Sequence, residues 1–143
     1  MNVSGPIEPS DIPVARLEWQ RDYESGNGLI DMQHRRLFAA VNAMLEAARS
    51  GRTPAVIELL DDVITQTMQH FRDEEDVLER DAAHELAGHR KIHMVLLERI
   101  LTLREGLMKG ATPLDEVLDY LADEVVAGHM LCTDRQFFGV LNH

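Results

Sequence analysis

The stretch QHFRDEEDVL, residues 69–78, carries the pattern that decides the fold. Its residues favour a helix, in which His70 and Glu74 lie one turn apart on the same face. Other positions at three- and four-residue spacing extend that face in both directions. They are Val56, Leu60, Val63, Thr67 and Val77. The periodicity therefore predicts that an imidazole and a carboxylate point into the protein interior, where both need partners.

Composition restricts the class of protein. A chain of 143 residues is long enough for one domain with a core and too short to favour two. Its net charge of −11 argues against nucleic acid or an anionic membrane as the partner. The single cysteine excludes an internal disulfide. The first residues lack the apolar stretch of a signal peptide, and no apolar run is long enough to span a bilayer, so we predict a cytoplasmic protein.

Prolines and glycines divide the chain into an arm and four helices. Three prolines before Trp19 predict an extended N-terminal arm over residues 1–28, followed by a bundle over residues 29–143. Short connections between helices favour an all-α, antiparallel up-down four-helix bundle with a short C-terminal segment. The predicted helices cover residues 31–49, 54–80, 83–109 and 113–131.

Capping residues predict where these helices begin and end. Gly51 occupies the position of a C-terminal cap after the first helix. Thr53 and Thr112 each precede a proline, which predicts them as N-caps. Between these two starts lie almost sixty residues of helix-forming sequence without a proline, which is far longer than a normal globular helix. We therefore predict a turn at residues 80–85, with Asp81 as the cap of the third helix.

The other three helices also carry histidine on their apolar faces. In the first, His34 precedes Leu37, Phe38 and Val41 at helical spacing, and in the fourth, the row Leu114, Leu118, Leu121 and Val125 leads to His129. In the third, two histidines lie within one stripe. That stripe is Leu86, His89, His93, Leu96, Ile100, Leu103 and Leu107.

Five histidines and Glu74 thus converge from four helices. A lone histidine on an apolar face is usually a satisfied core residue, but burying this whole set would cost several kcal/mol per group without compensation. Metal coordination supplies that compensation. Glu74 and His89 can share a centre only across a turn, because one continuous helix would hold them about 22 Å apart.

Four short motifs carry a resemblance to a known family. They are LIDMQH at 29–34, HFRDEE at 70–75, HRKIH at 89–93 and HMLCTD at 129–134. In order, they are similar to the His, His-x3-Glu, His-x3-His and His-x4-Asp elements of the hemerythrin family, in its bacterial single-domain form. Trp19 and Tyr23 resemble the aromatic N-terminal arm of many members. The likeness extends from about residue 17 to residue 139.

This resemblance implies a non-haem di-iron centre. One iron would have three histidine ligands and the other two, and two carboxylates would bridge them together with an oxo or hydroxo group. The vacant position on the second iron is where the family binds O2, so the implied function is reversible O2 binding for carriage, storage or scavenging, without enzymatic activity. The implied ligands are His89, His93 and His129 for one iron, His34 and His70 for the other, and Glu74 and Asp134 as bridges.

The chain departs from many family members at two places. Ala82 and Ala83 stand where those members have an aromatic-proline pair, and Val125 and Val126 stand where they have a tryptophan. The ligand positions are untouched by these changes. The five-residue spacing between His129 and Asp134, shared with the family, requires the fourth helix to end or loosen there, because an ideal helix would turn the two residues about 140° apart.

Residues near the motifs are assigned ordinary roles. Close helix approach and incidental tolerance explain Gly88 and Gly128 equally well. The remaining expectations are that Glu75 is a surface charge, that His84 and His143 are solvated, that Cys132 is a buried inert thiol, and that Met32, Met44 and Met68 fill the core.

Three other functions use the same residues. One is a sensor domain that signals O2 or redox state to an unidentified protein partner. Another is an enzyme acting on peroxide or nitric oxide, for which the core stripes offer no convincing proton or electron donor. The third is a structural zinc site, since imidazole and carboxylate also suit zinc, although seven ligands exceed the needs of one tetrahedral ion.

Overall fold

Helices make up almost all of residues 17–133, the part of the chain that the computed structural model describes; for residues 130–133 it describes the backbone alone. These residues form the predicted all-α four-helix bundle and contain no strand. A short 3-10 turn, Arg21–Tyr23, precedes the bundle. The helices are α1 Gly28–Arg49, α2 Thr53–Asp81, α3 Ala83–Met108, and α4 Leu114–Tyr120 with a π-helix Leu121–Thr133 that continues it.

The predicted division into an arm and a bundle remains a prediction. Most of the arm, residues 1–16, and the C-terminal segment 134–143 lie outside the described residues. The part of the arm that is described packs on α1. There the backbone N–H of Leu17 donates to Oδ1 of Asn42, and Nδ2 of Asn42 donates to the carbonyl of Leu17, both at 2.7 Å.

Asp31 holds the residues that precede α1 against the first turn of that helix. Its carboxylate is buried and accepts hydrogen bonds from the N–H and hydroxyl of Ser25 and from the N–H of Gly26, at 2.7–3.1 Å. Asn27 caps the helix by accepting from the N–H of Ile30. Helix α1 therefore begins three residues earlier than predicted, inside the predicted arm.

The apolar stripes predicted from helical periodicity are the inner faces of the bundle. Every stripe residue named for the first, second and fourth helices is buried, including all their histidines. On α3 the stripe is buried at His89, His93, Ile100 and Leu103 and half-buried elsewhere. Each fully buried leucine in such a core stabilises the fold by about 1.5–3 kcal/mol. The same packing that buries these leucines therefore carries the histidines inward.

Gly51 ends α1 as predicted. Its φ of +73° is a left-handed conformation, and two backbone bonds close the turn: Gly51 N–H to Ala48 O at 3.1 Å and Arg52 N–H to Ala47 O at 2.9 Å. This pair of bonds is the Schellman motif.

The predictions that Thr53 and Thr112 are helix N-caps were wrong. At α2 the first helical bond runs from Val56 N–H to the carbonyl of Arg52, so Thr53 lies already inside the helix and makes no cap bond. At α4 the first bonds end on the carbonyl of Pro113, one residue after Thr112. In both cases the backbone bonds set the start of the helix one residue away from the threonine.

The turn between α2 and α3 is confirmed, and it consists of one residue. Ala82, with φ −153° and ψ 57°, is the only residue outside either helix. Its N–H still bonds to the carbonyl of Leu78, so Asp81 is the last residue of α2 and not the cap of α3. Because the connection is so short, α2 and α3 form a tight antiparallel hairpin.

The fourth helix widens earlier than expected. Sequence spacing predicted loosening between His129 and Asp134, but π-helical bonding already begins at Leu121. Buried positions recur there in pairs every four residues, a longer repeat than the 3.6 residues of an α-helix. These pairs are Val117 and Leu118, Leu121 and Ala122, and Val125 and Val126, followed by His129. A wider winding keeps this row on one face, and π-helical segments are frequent at functional sites.

Two of the three methionine predictions were wrong. Met44 is fully buried, whereas Met32 and Met68 are exposed, at 38% and 42%. Methionine is adaptable enough for either environment, so its identity alone does not decide burial. Among the described helices, none combines the length and apolar character needed to cross a membrane.

Replacing Gly51 with alanine tests the strain at the end of α1. No atom lies within 4 Å of the added Cβ, so only the left-handed backbone opposes the change. We expect Gly51→Ala to lower the free energy of unfolding by about 1–2 kcal/mol in urea denaturation. The control is Gly28→Ala, in equally open space but with a helical backbone. Equal losses in both variants would contradict the backbone explanation.

Candidate metal centre

The carboxylate of Glu74 divides five histidines into two groups. Its Oε1 lies 2.5 Å from Nε2 of His89, 3.1 Å from Nε2 of His93 and 3.6 Å from Nε2 of His129. Its Oε2 lies 3.3 Å from Nε2 of His70, whose Nε2 is in turn 3.1 Å from Nε2 of His34. One buried carboxylate thus contacts imidazoles on both sides.

Two overlapping sets of donor atoms result. Within each set, all donor atoms lie within 4.8 Å of one another, and every residue is buried. The larger set is Glu74, His89, His93 and His129, and the smaller is His34, His70 and Glu74. The structure therefore brings together six of the seven residues predicted from the sequence. The seventh, Asp134, lies outside the described residues.

Glu74 is held in its ionised form. Burial raises its pKa, but the four imidazoles that surround it, those of His129, His70, His89 and His93, outweigh that effect and leave the pKa well below its ordinary value. An ionised carboxylate with almost no solvent contact is costly unless positive charge lies beside it.

Hydrogen bonds outside the cluster define the protonation of two imidazoles. Nδ1 of His93 lies 2.7 Å from Oε2 of Glu75, and a carboxylate can only accept, so Nδ1 carries the proton. Nδ1 of His70 lies 2.9 Å from Oε1 of Gln33 and donates to it. In the neutral imidazoles, both Nε2 atoms then present lone pairs to the centre.

With neutral imidazoles, hydrogen-bond acceptors on the histidines face hydrogen-bond acceptors on Glu74. The Nε2 lone pair of His93 faces an oxygen of Glu74 at 3.1 Å, and that of His70 faces the other oxygen at 3.3 Å. A cation between the atoms removes the repulsion. Protonating the imidazoles instead would bury several positive charges around one carboxylate.

The spacing of the donors fits metal ions. An octahedral ion about 2.1 Å from each ligand has neighbouring ligands about 3.0 Å apart. Nε2 of His93 and Nε2 of His129 are 3.0 Å apart, and the Nε2 atoms of His34 and His70 are 3.1 Å apart. Imidazole ligands suit zinc, copper, iron and nickel, so iron is one of the metals that this donor set fits.

The ring of Phe71 covers one side of the histidine cluster. Its ring stacks on His93, with centroids 3.9 Å apart and planes within 2°, and meets His129 edge-on at 5.2 Å. At 2% exposure it separates these imidazoles from water. A dry surrounding strengthens the electrostatic interactions within the cluster.

Comparison with known proteins decides the family. The family model of the hemerythrin HHE cation binding domain matches residues 25–141. The chain belongs to the hemerythrin family. It is 34% identical to bacteriohemerythrin of Stenotrophomonas maltophilia over 109 residues, 76% of this chain and 71% of that protein.

Other hemerythrins resemble the chain over more of its length. Identity is 28% over 131 residues with bacteriohemerythrin of Pseudomonas paraeruginosa, which is 91% of this chain and 84% of that protein. It is 24% over 124 residues with myohemerythrin of Theromyzon tessulatum, 87% of this chain and 92% of that protein. The likeness therefore spans the whole described bundle and is not confined to the histidine motifs.

Sequence reasoning missed two residues of this hemerythrin cluster. Glu75, predicted as a surface charge, is only 21% exposed at its side chain and binds both His93 and Arg90. Gln33 was not singled out. A signal for Glu75 did exist, because Glu75 and Arg90 lie almost equally far from the turn at Ala82 and so face each other across the hairpin.

The remaining expectations fall into three groups. His84 is solvated, as predicted, with 79% of its side chain exposed. For Gly88 nothing lies within 4 Å of an added Cβ, and for Gly128 the nearest atom is a carbonyl of the same helical run, so close helix approach explains neither glycine. The side chain of Cys132 and the whole of His143 lie outside the described residues.

Replacing Phe71 with alanine tests its packing role. We expect Phe71→Ala to lower the free energy of unfolding of the metal-free protein by about 3–5 kcal/mol, because it leaves a cavity beside His93. Met68→Ala, one turn earlier on the same helix and exposed, should change stability by less than about 0.5 kcal/mol. Urea denaturation of both variants compares them. A small loss for Phe71→Ala would contradict the packing role assigned to this ring.

Proposed function

We propose that the cluster binds two iron ions and that the protein reversibly binds O2 at one of them, as a carrier, store or scavenger. The three-histidine ion would be held on the Oε1 side of Glu74 and the two-histidine ion on the Oε2 side. Asp134 and an oxo or hydroxo group would complete the bridge. The proposed ligands are His34, His70, Glu74, His89, His93, His129 and Asp134.

The position of Glu74 carries the proposal. Its two oxygens face different groups of imidazoles, which is the geometry of a carboxylate shared by two ions. A single tetrahedral zinc would use four ligands and leave the other side of the carboxylate without a cation. Membership in a family whose model is described as a cation binding domain adds to this support.

The unequal numbers of histidines suggest where a ligand binds. The Oε1 side has three imidazoles and the Oε2 side has two, so the second ion would keep an open position. O2 is small and neutral, so it could occupy a buried position without a charged partner. Binding without turnover is the role that we assign to this position.

The charge of the proposed centre favours reversible binding. Two ferrous ions, two carboxylates and one hydroxide leave a single net positive charge, and neutral imidazoles add none. Ferritin-like di-iron oxidases use mainly carboxylates, with only two histidines. A histidine-rich set donates less negative charge to the iron, so it stabilises highly oxidised iron less.

The visible spectrum of the iron-loaded, anaerobically reduced protein tests the proposal. Iron is counted per chain, and spectra are taken in the absence of O2, after exposure to air and after deoxygenation. Two irons and a charge-transfer band that appears with O2 and fades on its removal are expected. Irreversible conversion to the diferric form would favour sensing or peroxide chemistry, and the absence of iron would favour a zinc site.

Replacing Glu74 tests its bridging role. We expect Glu74→Ala to bind fewer than two irons per chain, because each ion loses a shared anionic ligand. Metal analysis of the purified variant measures this. Glu79→Ala, which removes an exposed carboxylate five residues later on α2, is the control and should retain both ions. Two irons per chain in Glu74→Ala would contradict the bridging role.

A further inference from the structure

The two histidines whose protonation is defined donate to chemically different partners. On the Oε1 side of the centre, Nδ1–H of His93 donates to the carboxylate of Glu75. On the Oε2 side, Nδ1–H of His70 donates to the amide oxygen of Gln33. The two sides thus differ in the number of histidines and also in the charge of the residue that accepts the hydrogen bond from Nδ1–H.

The amide of Gln33 is held in one orientation. Its Nε2 donates to Oδ2 of Asp73 at 2.5 Å, and Nε2 of Gln69 donates to the other oxygen of Asp73 at 3.0 Å. Since a carboxylate only accepts, the amide nitrogen of Gln33 must face Asp73 and its oxygen must face His70. The partner of His70 is therefore neutral.

The carboxylate of Glu75 is partly balanced. Its Oε2 accepts from His93 at 2.7 Å, and its Oε1 accepts from Nε of Arg90 at 3.1 Å. Arg90 is more than half exposed, so solvent screens its charge, whereas Glu75 is largely covered. A hydrogen bond to an ionised acceptor is about twice as strong as one to a neutral acceptor.

We propose that Glu75 and Gln33 are positioning residues that make the two metal positions electronically unequal. Glu75 increases the electron donation of His93 and so stabilises the ferric state on the three-histidine side. Gln33 orients His70 without adding charge and leaves the two-histidine side the weaker donor. This inference rests on the proposed function, because it requires that the cluster holds two ions.

The physical basis is the coupling between the two ring nitrogens. An acceptor that pulls on Nδ1–H makes Nε2 more basic, and residues in this role typically change metal affinity or activity 10- to 100-fold when replaced. A ferric ion gains more from a basic ligand than a ferrous ion does. A tenfold change in the ratio of ferric to ferrous affinity moves a one-electron midpoint potential by about 59 mV.

The experiment exchanges acid and amide at both positions. Glu75→Gln and Gln33→Glu preserve side-chain shape. Gln33→Glu is made together with Asp73→Asn, because the new carboxylate would otherwise face the carboxylate of Asp73. Glu79→Gln is the matched charge control on the exposed face of α2. Midpoint potentials of the iron-loaded full chain are measured by mediated spectroelectrochemistry. In each step, a mediator gives one electron to one ferric ion, which becomes ferrous. Iron is counted per chain in every sample.

The two exchanges have opposite expected effects. Glu75→Gln should raise a midpoint potential by the equivalent of at least a tenfold change in affinity ratio, and Gln33→Glu should lower one. Glu79→Gln should match the wild type. An unchanged potential in Glu75→Gln with two irons bound would overturn the inference and leave the proposed function intact. A wild-type chain without two irons would instead contradict the proposed function.

Arg90→Gln separates electron donation from mere packing. This variant removes the positive charge beside Glu75, so it should lower the potential, opposite in sign to Glu75→Gln. A loosened structure would move both variants in the same direction, and that result would overturn the inference. Because Arg90 is exposed, the variant also supplies the decisive measurement if Glu75→Gln does not fold, and an unchanged potential would then count against the inference.

Discussion

The burial of one ionised carboxylate, that of Glu74, constrains the whole interior of the bundle. Such a group is costly in an apolar core unless its neighbours compensate for the lost water. Here the groups that can compensate, by holding a cation or by protonation, come from every helix, since α1, α2, α3 and the π-helix each supply at least one imidazole near Glu74. The positions of the helices relative to one another are therefore constrained by Glu74. The apolar stripes must pack so that the imidazoles stay close to its carboxylate.

This requirement separates the two ends of the core. The leucine- and valine-rich part packs through shape and area, and neighbouring side chains absorb a modest change there. The histidine-rich part has less such freedom, because Gln33 and Glu75 hold the outer nitrogens of His70 and His93. The acidic surface of the chain complements this interior, since a net charge of −11 attracts cations from solution toward a site that needs them.

Helical periodicity was enough to predict the inner faces, because burial of His34, His70 or His93 follows from the apolar residues three and four positions away. Periodicity does not resolve a shift of one residue at a helix end, so Thr53, Asp81 and Thr112 were assigned wrongly. The environment of Glu75 depended on the neighbouring helix, which a pattern along one helix does not contain. The only sign in the sequence of the π-helix that begins at Leu121 is that pairs of apolar residues recur there every four residues.

The single residue that joins α2 to α3 also determines where the chain can change in length. Helix α3 has no slack at Ala82, so one residue inserted beside it would rotate the whole of α3 by about 100° and carry His89 and His93 away from Glu74 together. The connection between α3 and α4, residues 109–113, has several residues that could absorb an insertion. We therefore expect changes in loop length to be tolerated better at the connection between α3 and α4 than at the one-residue turn between α2 and α3.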